Sequence, residues 1–306
     1  MSASFTRRLP LSRSGIDRDH ASRSRAELFD ELRDAGSAKT VVLHRGAALL
    51  DGDRGLALPI LDEAIGAELL LYLGRGHEDG QTYVASVLSD EAAAAFGDGA
   101  EWGTLRDLGS GLSDLDAGLF TQSLALANWH ASHGFSPRTG APTRAGQAGW
   151  TRHADDDHEL FPRTDAAVIV GVTDADDRLL LGANALWAQN RYSLLAGFVE
   201  PGESLEAAVA REVFEESGVH VIDPVYLGSQ PWPFPASLMV GFRATVDPTR
   251  VTELEPDGEE IVDLRWFSRH ELAASLDRIA LPGATSIARA IIDDWFGGPI
   301  DDRTAW

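Results

Sequence analysis

The chain has 306 residues, 44% hydrophobic and 24% charged, a composition that supports a folded protein with a sizeable core and about two domains. Its 48 acidic and 26 basic side chains leave a formal charge of -22, which excludes broad, charge-driven nucleic-acid binding but not a local anion site of arginines, backbone N–H groups or metal ions. It has no cysteine, which excludes disulfides, thiolate nucleophiles and thiolate-bound zinc. With no long apolar run and no apolar block behind Arg7, Arg8 and Arg13, the expectation is a cytoplasmic protein with no membrane partner.

Residues 1–38 are polar and read as an arm, with a short helical period from Ala26 to Asp34. From Thr40 to Leu88, apolar runs alternate with Gly-containing turns, the pattern of strands. Gly103–Gly111 reads as a loop, and Leu112–Ser132 carries apolar residues at helical spacing. Gly134–Pro162, rich in Gly, Pro, Arg, Asp and His, reads as a connector. Beyond a boundary near Arg163, strands are expected at Ala166–Val172, Arg178–Leu181, Ser193–Val199, Val225–Leu227, Leu238–Val246 and Ile261–Phe267. Helices are expected at Ser204–Ser217, Arg269–Leu276 and Thr285–Phe296. No internal repeat is visible.

The segment Gly197–Val219, GFVEPGESLEAAVAREVFEESGV, carries the strongest signal. Ser204 suits a helix N-cap, and Gly218 suits the left-handed residue that ends one. Between them Glu212, Glu215 and Glu216 are spaced i, i+3, i+4, which puts three carboxylates on one helical face. Like charges so crowded need a counter-charge. Arg211 supplies part of it, and a divalent cation would supply more, because hard carboxylate oxygens suit Mg2+ or Mn2+. A solvated acidic helix face is the alternative for these three glutamates taken alone.

With Gly197, Glu203, Arg211, Val213, Gly218 and Val219 at their spacings, the segment matches the Nudix box, G-x5-E-x7-R-E-U-x-E-E-x-G-U, without a mismatch. The chain resembles the Nudix hydrolases, which cleave nucleoside diphosphates linked to another group. The resemblance implies Mg2+ or Mn2+ bound by Glu212, Glu215, Glu216, the backbone carbonyl of Ala196, and Glu260, which precedes Trp266 by six residues beside Glu259. It implies catalytic roles for Glu212, Glu215 and Glu216, with Glu216 as general base, and for Arg211, which with Glu203 holds helix and loop in place.

Ser229–Ser237, SQPWPFPAS, follows. Prolines alternating with aromatics make a stiff, extended segment whose rings suit stacking on a flat base. Alone it reads as a Pro-rich loop with two core aromatics. Behind a complete box it resembles the SQPWPFPxS signature of the NADH pyrophosphatase subfamily, which implies substrate contacts at Gln230, Pro231, Trp232, Pro233, Phe234, Pro235 and Ser237. Phe161 and Ala288 match further substrate positions of that subfamily. Most of its members carry a four-cysteine zinc ribbon, but here Ser136 and Thr139 stand in the first knuckle and no cysteine in the second. His153, Asp157 and His158 do not make up four ligands at sensible spacing, so no zinc is expected.

The fold expected is α/β: a Nudix α/β/α sandwich with a mixed sheet over residues 164–306. An α+β accessory domain (1–133) and a degenerate zinc-ribbon-like connector (134–163) precede it. The expected reaction is metal-dependent hydrolysis of the pyrophosphate of NAD(H) to NMN(H) and AMP, extending to the NAD caps of RNA. Hydrolysis of another nucleoside diphosphate such as ADP-ribose, or a non-catalytic nucleotide sensor, are the alternatives. Relatives in the subfamily imply a homodimer.

Overall fold

The structure, a computed structural model, describes residues 3–52, 55–62, 66–154, 158–250 and 253–301. The chain divides into two compact units: Arg13–Thr164 with Trp232–Ala236, here the N-terminal unit, and Met1–Ser12 with Asp165–Pro231 and Ser237–Trp306, the C-terminal unit. Among the described residues no helix is long and apolar enough to cross a membrane.

The first helix, α1 (Ala3–Thr6), belongs to the C-terminal unit, and Phe5 and Leu9 are buried in that unit's core. The opening of the chain is therefore packed, where its polarity suggests an arm. Two apolar residues four apart are too few for a period to show in the sequence.

The N-terminal unit contains β1 (Ile16–Asp17), α2 (Leu28–Ala35), β2 (Lys39–His44), β3 (Ala47–Leu49), β4 (Ala67–Gly76), β5 (Thr82–Leu88), α3 (Asp90–Ala94), β6 (Trp102–Thr104), α4 (Leu105–Leu108) and α5 (Asp114–Ser132). Its sheet runs β1-β4-β5-β2-β3-β6. Only β2 and β5 pair in parallel; the other neighbours are antiparallel. Helix α5 packs on β1, β2, β4 and β5. The stretch expected as a loop, Gly103–Gly111, holds the end of β6 and all of α4, which Thr104 caps through the Asp107 N–H (3.3 Å). One turn of helix is too short for its apolar period to be read.

The connector region folds within this unit as β7 (Arg144–Gly146), β8 (Thr151–His153) and β9 (Glu159–Leu160), a three-stranded sheet. Side chains hold it. Ser136 Oγ accepts the N–H groups of Arg138 and Thr139 (3.3 and 3.4 Å), closing the turn where a knuckle would curl. Arg152 donates to the hydroxyl and carbonyl oxygens of Thr143 (2.7 and 2.8 Å) and to His130 Nδ1 (2.7 Å), whose Nε2 meets the Gly149 carbonyl (2.9 Å). Trp150 anchors the other side, donating to the Tyr72 carbonyl (2.7 Å) under the Arg23 guanidinium. His153 contacts Thr151 and Glu159; Asp157 lies outside the described residues.

The C-terminal unit contains β10 (Asp165–Thr173), β11 (Leu179–Asn184), β12 (Leu195–Phe198), α6 (Leu205–Ser217), β13 (Val221–Trp232), β14 (Ser237–Val246), β15 (Ile261–Phe267), α7 (Arg269–Ala273) and α8 (Ile287–Phe296). The sheet runs β13-β14-β10-β11-β15, with β12 paired to β10; the β10–β14 pair is parallel. Strand β10 is buried on both faces. Val168, Val170 and Val172 pack with Val209 and Val213 of α6, while Ile169 packs with Ile287 and Ile291 of α8. That alternation makes the helix–sheet–helix sandwich. Strand β13 extends through Ser229–Trp232, well past the expected Val225–Leu227, so the first half of the SQPWPFPAS segment is strand and only its second half is turn. Its start is exposed and interrupted by Asp223 and Pro224, which hides the strand period.

Candidate active site

Helix α6 starts where Ser204 Oγ accepts the Ala207 N–H (3.1 Å) and ends at Gly218, whose φ of 69° is the left-handed conformation a side chain disfavours. Its core stripe is Ala208, Val209, Val213 and Glu216. Glu216 is thus carried inward by the helical period, to 5% exposure, while Glu215 stays exposed. Strand β12 runs alongside, with Ala196 opposite Ile169 and Gly197 opposite Val168. At Gly197 a Cβ would stand 2.0 Å from the Glu212 carboxyl carbon, so a larger residue there displaces that carboxylate.

Arg211 organises the carboxylates. It donates through Nε and Nη2 to both oxygens of Glu203 (2.8 Å each), through Nη1 to Glu212 (2.8 Å) and Glu215 (3.0 Å), and through Nη2 to the Phe198 carbonyl (2.9 Å). Glu203 also accepts the Glu200 N–H (3.0 Å). This fork ties the loop after β12 to the helix. The arginine bonds hold Glu203 down at about 2, and the Arg211 guanidinium is raised in turn.

Glu216 is the unbalanced member. Burial first, then the charges of Glu260 and Glu212, push its carboxyl up to about 8, against a backbone hydrogen bond from Ala196. Its Oε2 is buried with no hydrogen-bond partner. Glu212 is also raised, chiefly by burial, with Glu215 and Glu260 adding and Arg211 opposing. Glu260 therefore acts on the box helix from β15's leading loop, and Glu259 does not enter. Two residues absent from the sequence reading set Glu260 in place. Asp257 Oδ1 accepts the N–H groups of Glu259, Glu260 and Ile261 (2.9 Å each), and Asn184 donates to Glu260 Oε1 (3.3 Å). The run Asp257-Gly258 before a strand was their only sequence trace. Among the described residues no three carboxylate or histidine side chains meet as a finished metal cage. The donor set nevertheless fits a hard divalent cation, because a buried carboxylate oxygen stands unpartnered among glutamates that Arg211 alone cannot neutralise.

The expected substrate residues separate. Gln230 is fully buried, accepting the Leu11 N–H (3.1 Å) and donating to the Thr285 carbonyl (3.0 Å), so it presents nothing to solvent. The Ala288 N–H is taken by Ser286 Oγ (3.1 Å), the cap of α8. Pro231 and Ser237 belong to the C-terminal unit, and Trp232, Pro233, Phe234 and Pro235 group with the N-terminal unit. There Trp232 and Phe234 meet edge to face, their centroids 4.9 Å apart, and Asn128 Nδ2 donates to the Pro233 and Pro235 carbonyls (2.8 and 3.3 Å). Phe161, also in that unit, is 63% exposed.

Comparison with known proteins agrees with this geometry. Residues 162–290 match the NUDIX domain, and residues 37–129 match the NADH pyrophosphatase-like rudimentary NUDIX domain. The chain is 41% identical over 307 residues to the NAD-capped RNA hydrolase NudC of Mycobacterium bovis, covering 93% of this chain and 94% of that protein. It is 38% identical over 244 residues to the protein of that name from Stutzerimonas stutzeri, covering 78% and 79%. To the NAD-capped RNA hydrolase NUDT12 of Macaca fascicularis it is 36% identical over 199 residues, 60% of this chain and 42% of that protein. With an intact box on α6 and relatives aligned over nearly its whole length, the chain belongs to the NudC family of Nudix hydrolases.

Proposed function

We propose that this protein hydrolyses the pyrophosphate of NAD(H) to NMN(H) and AMP, and by the same chemistry removes NAD caps from RNA 5′ ends. The observation that carries the reading is Glu216: buried, with its Oε2 unpartnered, and crowded by Glu212 and Glu260 on a helix that Arg211 locks to its loop. Its relatives' names point to the same substrate class.

Mg2+ or Mn2+ held by the Ala196 carbonyl, Glu212, Glu215, Glu216 and Glu260 would neutralise the phosphates and activate the attacking water. The water oxygen bonds to one phosphorus, the bridging P–O bond breaks, and the released proton passes to a base, for which Glu216 is the candidate. Held near 8, the isolated Glu216 carboxyl is protonated at neutral pH. A neighbouring positive charge restores the carboxylate that the base needs. Glu203 and Arg211 keep loop and helix aligned. The net charge of -22 suits a substrate gripped locally rather than along a nucleic-acid track.

A panel of NADH, NAD+, NAD-capped RNA and ADP-ribose, assayed with each metal and with product analysis, tests this. AMP with NMNH from NADH supports it; inert NADH beside rapid ADP-ribose turnover overturns it. The reading also takes the protein to be a cytoplasmic homodimer; the molar mass from sedimentation equilibrium checks the dimer.

A further inference from the structure

A second crowding of like charges, opposite in sign to that on α6, lies in the N-terminal unit. Arg18 and Arg23 converge on one indole: the Arg23 guanidinium stands 3.5 Å from the Trp150 ring centroid and the Arg18 guanidinium 5.6 Å from it. Trp150 is fixed, because its Nε1 donates to the Tyr72 carbonyl (2.7 Å). Two acids stand by, and both turn elsewhere. Asp17 Oδ1 accepts the Asp19 N–H (2.9 Å), while Asp19 Oδ2 accepts the hydroxyls of Ser22 and Tyr72 (2.7 Å each) and lies 3.3 Å from Arg75 Nε. Among the described residues neither Arg18 nor Arg23 forms an ion pair. Burial, and then the charge of Arg18, lower the Arg23 guanidinium from its usual range, the mark of two cations held close against their repulsion. The two differ in what they can do. Arg23 is half-buried, and its Nη2 donates to the Arg18 carbonyl (2.9 Å), so it braces the backbone that carries Arg18. Arg18 is exposed, and stacking occupies only the flat face of its guanidinium, leaving the edge N–H groups free to donate. In a chain with 48 acids, two guanidiniums kept together without a carboxylate are shaped for an anion that arrives from outside.

We propose that Arg18, backed by Arg23 and Trp150, is a phosphate site that holds a backbone phosphodiester of single-stranded RNA. The choice of RNA rests on the reading of NAD-capped RNA as a substrate. An exposed guanidinium fork beside an indole is the chemistry that binds single strands, with the cation on phosphate and the ring beside the bases. A local site of this kind also agrees with a chain whose net charge of -22 forbids a long basic track.

Fluorescence anisotropy of a labelled, uncapped single-stranded RNA on the full chain, read across a range of salt without divalent metal, is the test. Arg18→Ala raises Kd about tenfold at low salt and flattens the slope of log affinity against log salt by about 0.7, the share of one phosphate contact on a single strand. Arg18→Lys, which keeps the charge but loses the planar fork, keeps most of the slope. Arg45→Ala is the control. It removes the same formal charge from the same unit, but from a guanidinium already paired with Asp90, and its Kd stays close to the parent's. Equal weakening by Arg18→Ala and Arg45→Ala marks an effect of net charge and overturns the proposal, as does a parent that binds no RNA at low salt. An unchanged Kd in Arg18→Ala overturns it too, and a lowered melting temperature beside that unchanged Kd makes the stack a structural clamp. Weaker binding of AMP with unchanged binding of RNA gives the site to a mononucleotide and overturns the assignment to RNA. The uncapped probe keeps the two readings apart: if the parent leaves NADH and capped RNA intact, the pyrophosphatase reading fails, while Kd still decides the site.

Discussion

Strands β4-β5-β2-β3-β6 of the N-terminal unit and β13-β14-β10-β11-β15 of the C-terminal unit follow one order, with the parallel pair in the same place and two helices after the last strand. They differ in what joins the second and third of these strands in chain order. In the N-terminal unit that is residues 50–66; in the C-terminal unit it is residues 185–220, which hold β12 and α6. The architecture therefore closes without the carboxylate helix. The acids show the same division. In α5, Asp114 and Asp116 sit in the first turn, where the helix dipole welcomes anions; in α6, Glu212, Glu215 and Glu216 sit toward the C-terminal end, with no basic residue in the last turn. Placement of that kind costs stability and is explained by chemistry, not by folding.

Glu216→Gln gives the widest separation between the two regions. It lowers kcat for NADH by about a thousandfold and, by removing a buried carboxylate with one oxygen unpartnered, raises the melting temperature of the metal-free protein above pH 8. The matching change in the other unit, Asp116→Asn, leaves kcat as it was, although Asp116 is also pushed up by burial. Equal losses from the two variants would break the comparison. Gly197→Ala comes next. The added methyl displaces the Glu212 carboxyl, and a shift of that size costs about a hundredfold in kcat/KM, with circular dichroism unchanged.

The sequence carried the box well because each of its signals is local. Ser204, Gly218 and the i, i+3, i+4 glutamates declare a helix, its ends and its acidic face within one segment. Glu260 was reachable only through its interval to Trp266, and Asn184 and Asp257, which fix it, belong to distant turns whose convergence no spacing encodes. The repeated strand order was invisible as well. A buried strand needs only apolar residues of the right size, so Val41–Leu43 and Val168–Val170 keep the pattern without keeping the letters. Gln230 illustrates the converse. Its place in a substrate motif implies a substrate contact, whereas its amide is buried on Leu11 and Thr285, far away in the chain.

Smaller effects sharpen the contrast from the N-terminal side. Arg152→Ala removes the donor shared by Thr143 and His130, and leaving those groups unpaired costs about 2 kcal/mol of stability. Chemical denaturation followed by tryptophan fluorescence reads it, and kcat of the folded protein stays as it was. A loss of turnover instead would tie this cluster to the chemistry.

The smallest effect is a pH slope, and its sign follows from His130. That ring is buried between the Arg152 guanidinium and the Gly149 carbonyl, and burial first, then the neighbouring charge of Arg152, lowers its pKa from the usual 6.5. The folded state prefers the neutral ring, with Nε2–H donating to Gly149 and Nδ1 accepting from Arg152. Below the ordinary histidine range the unfolded chain binds a proton that the folded one refuses, so stability is full above about 6.5 and is lost progressively as pH falls from that value down through the lower pKa of the folded state. The melting temperature should drop between neutral pH and pH 5.5, and His130→Gln, which cannot titrate, should flatten that drop. A slope that survives the substitution would assign the acid sensitivity to some other group and remove His130 from the account of what holds the N-terminal unit.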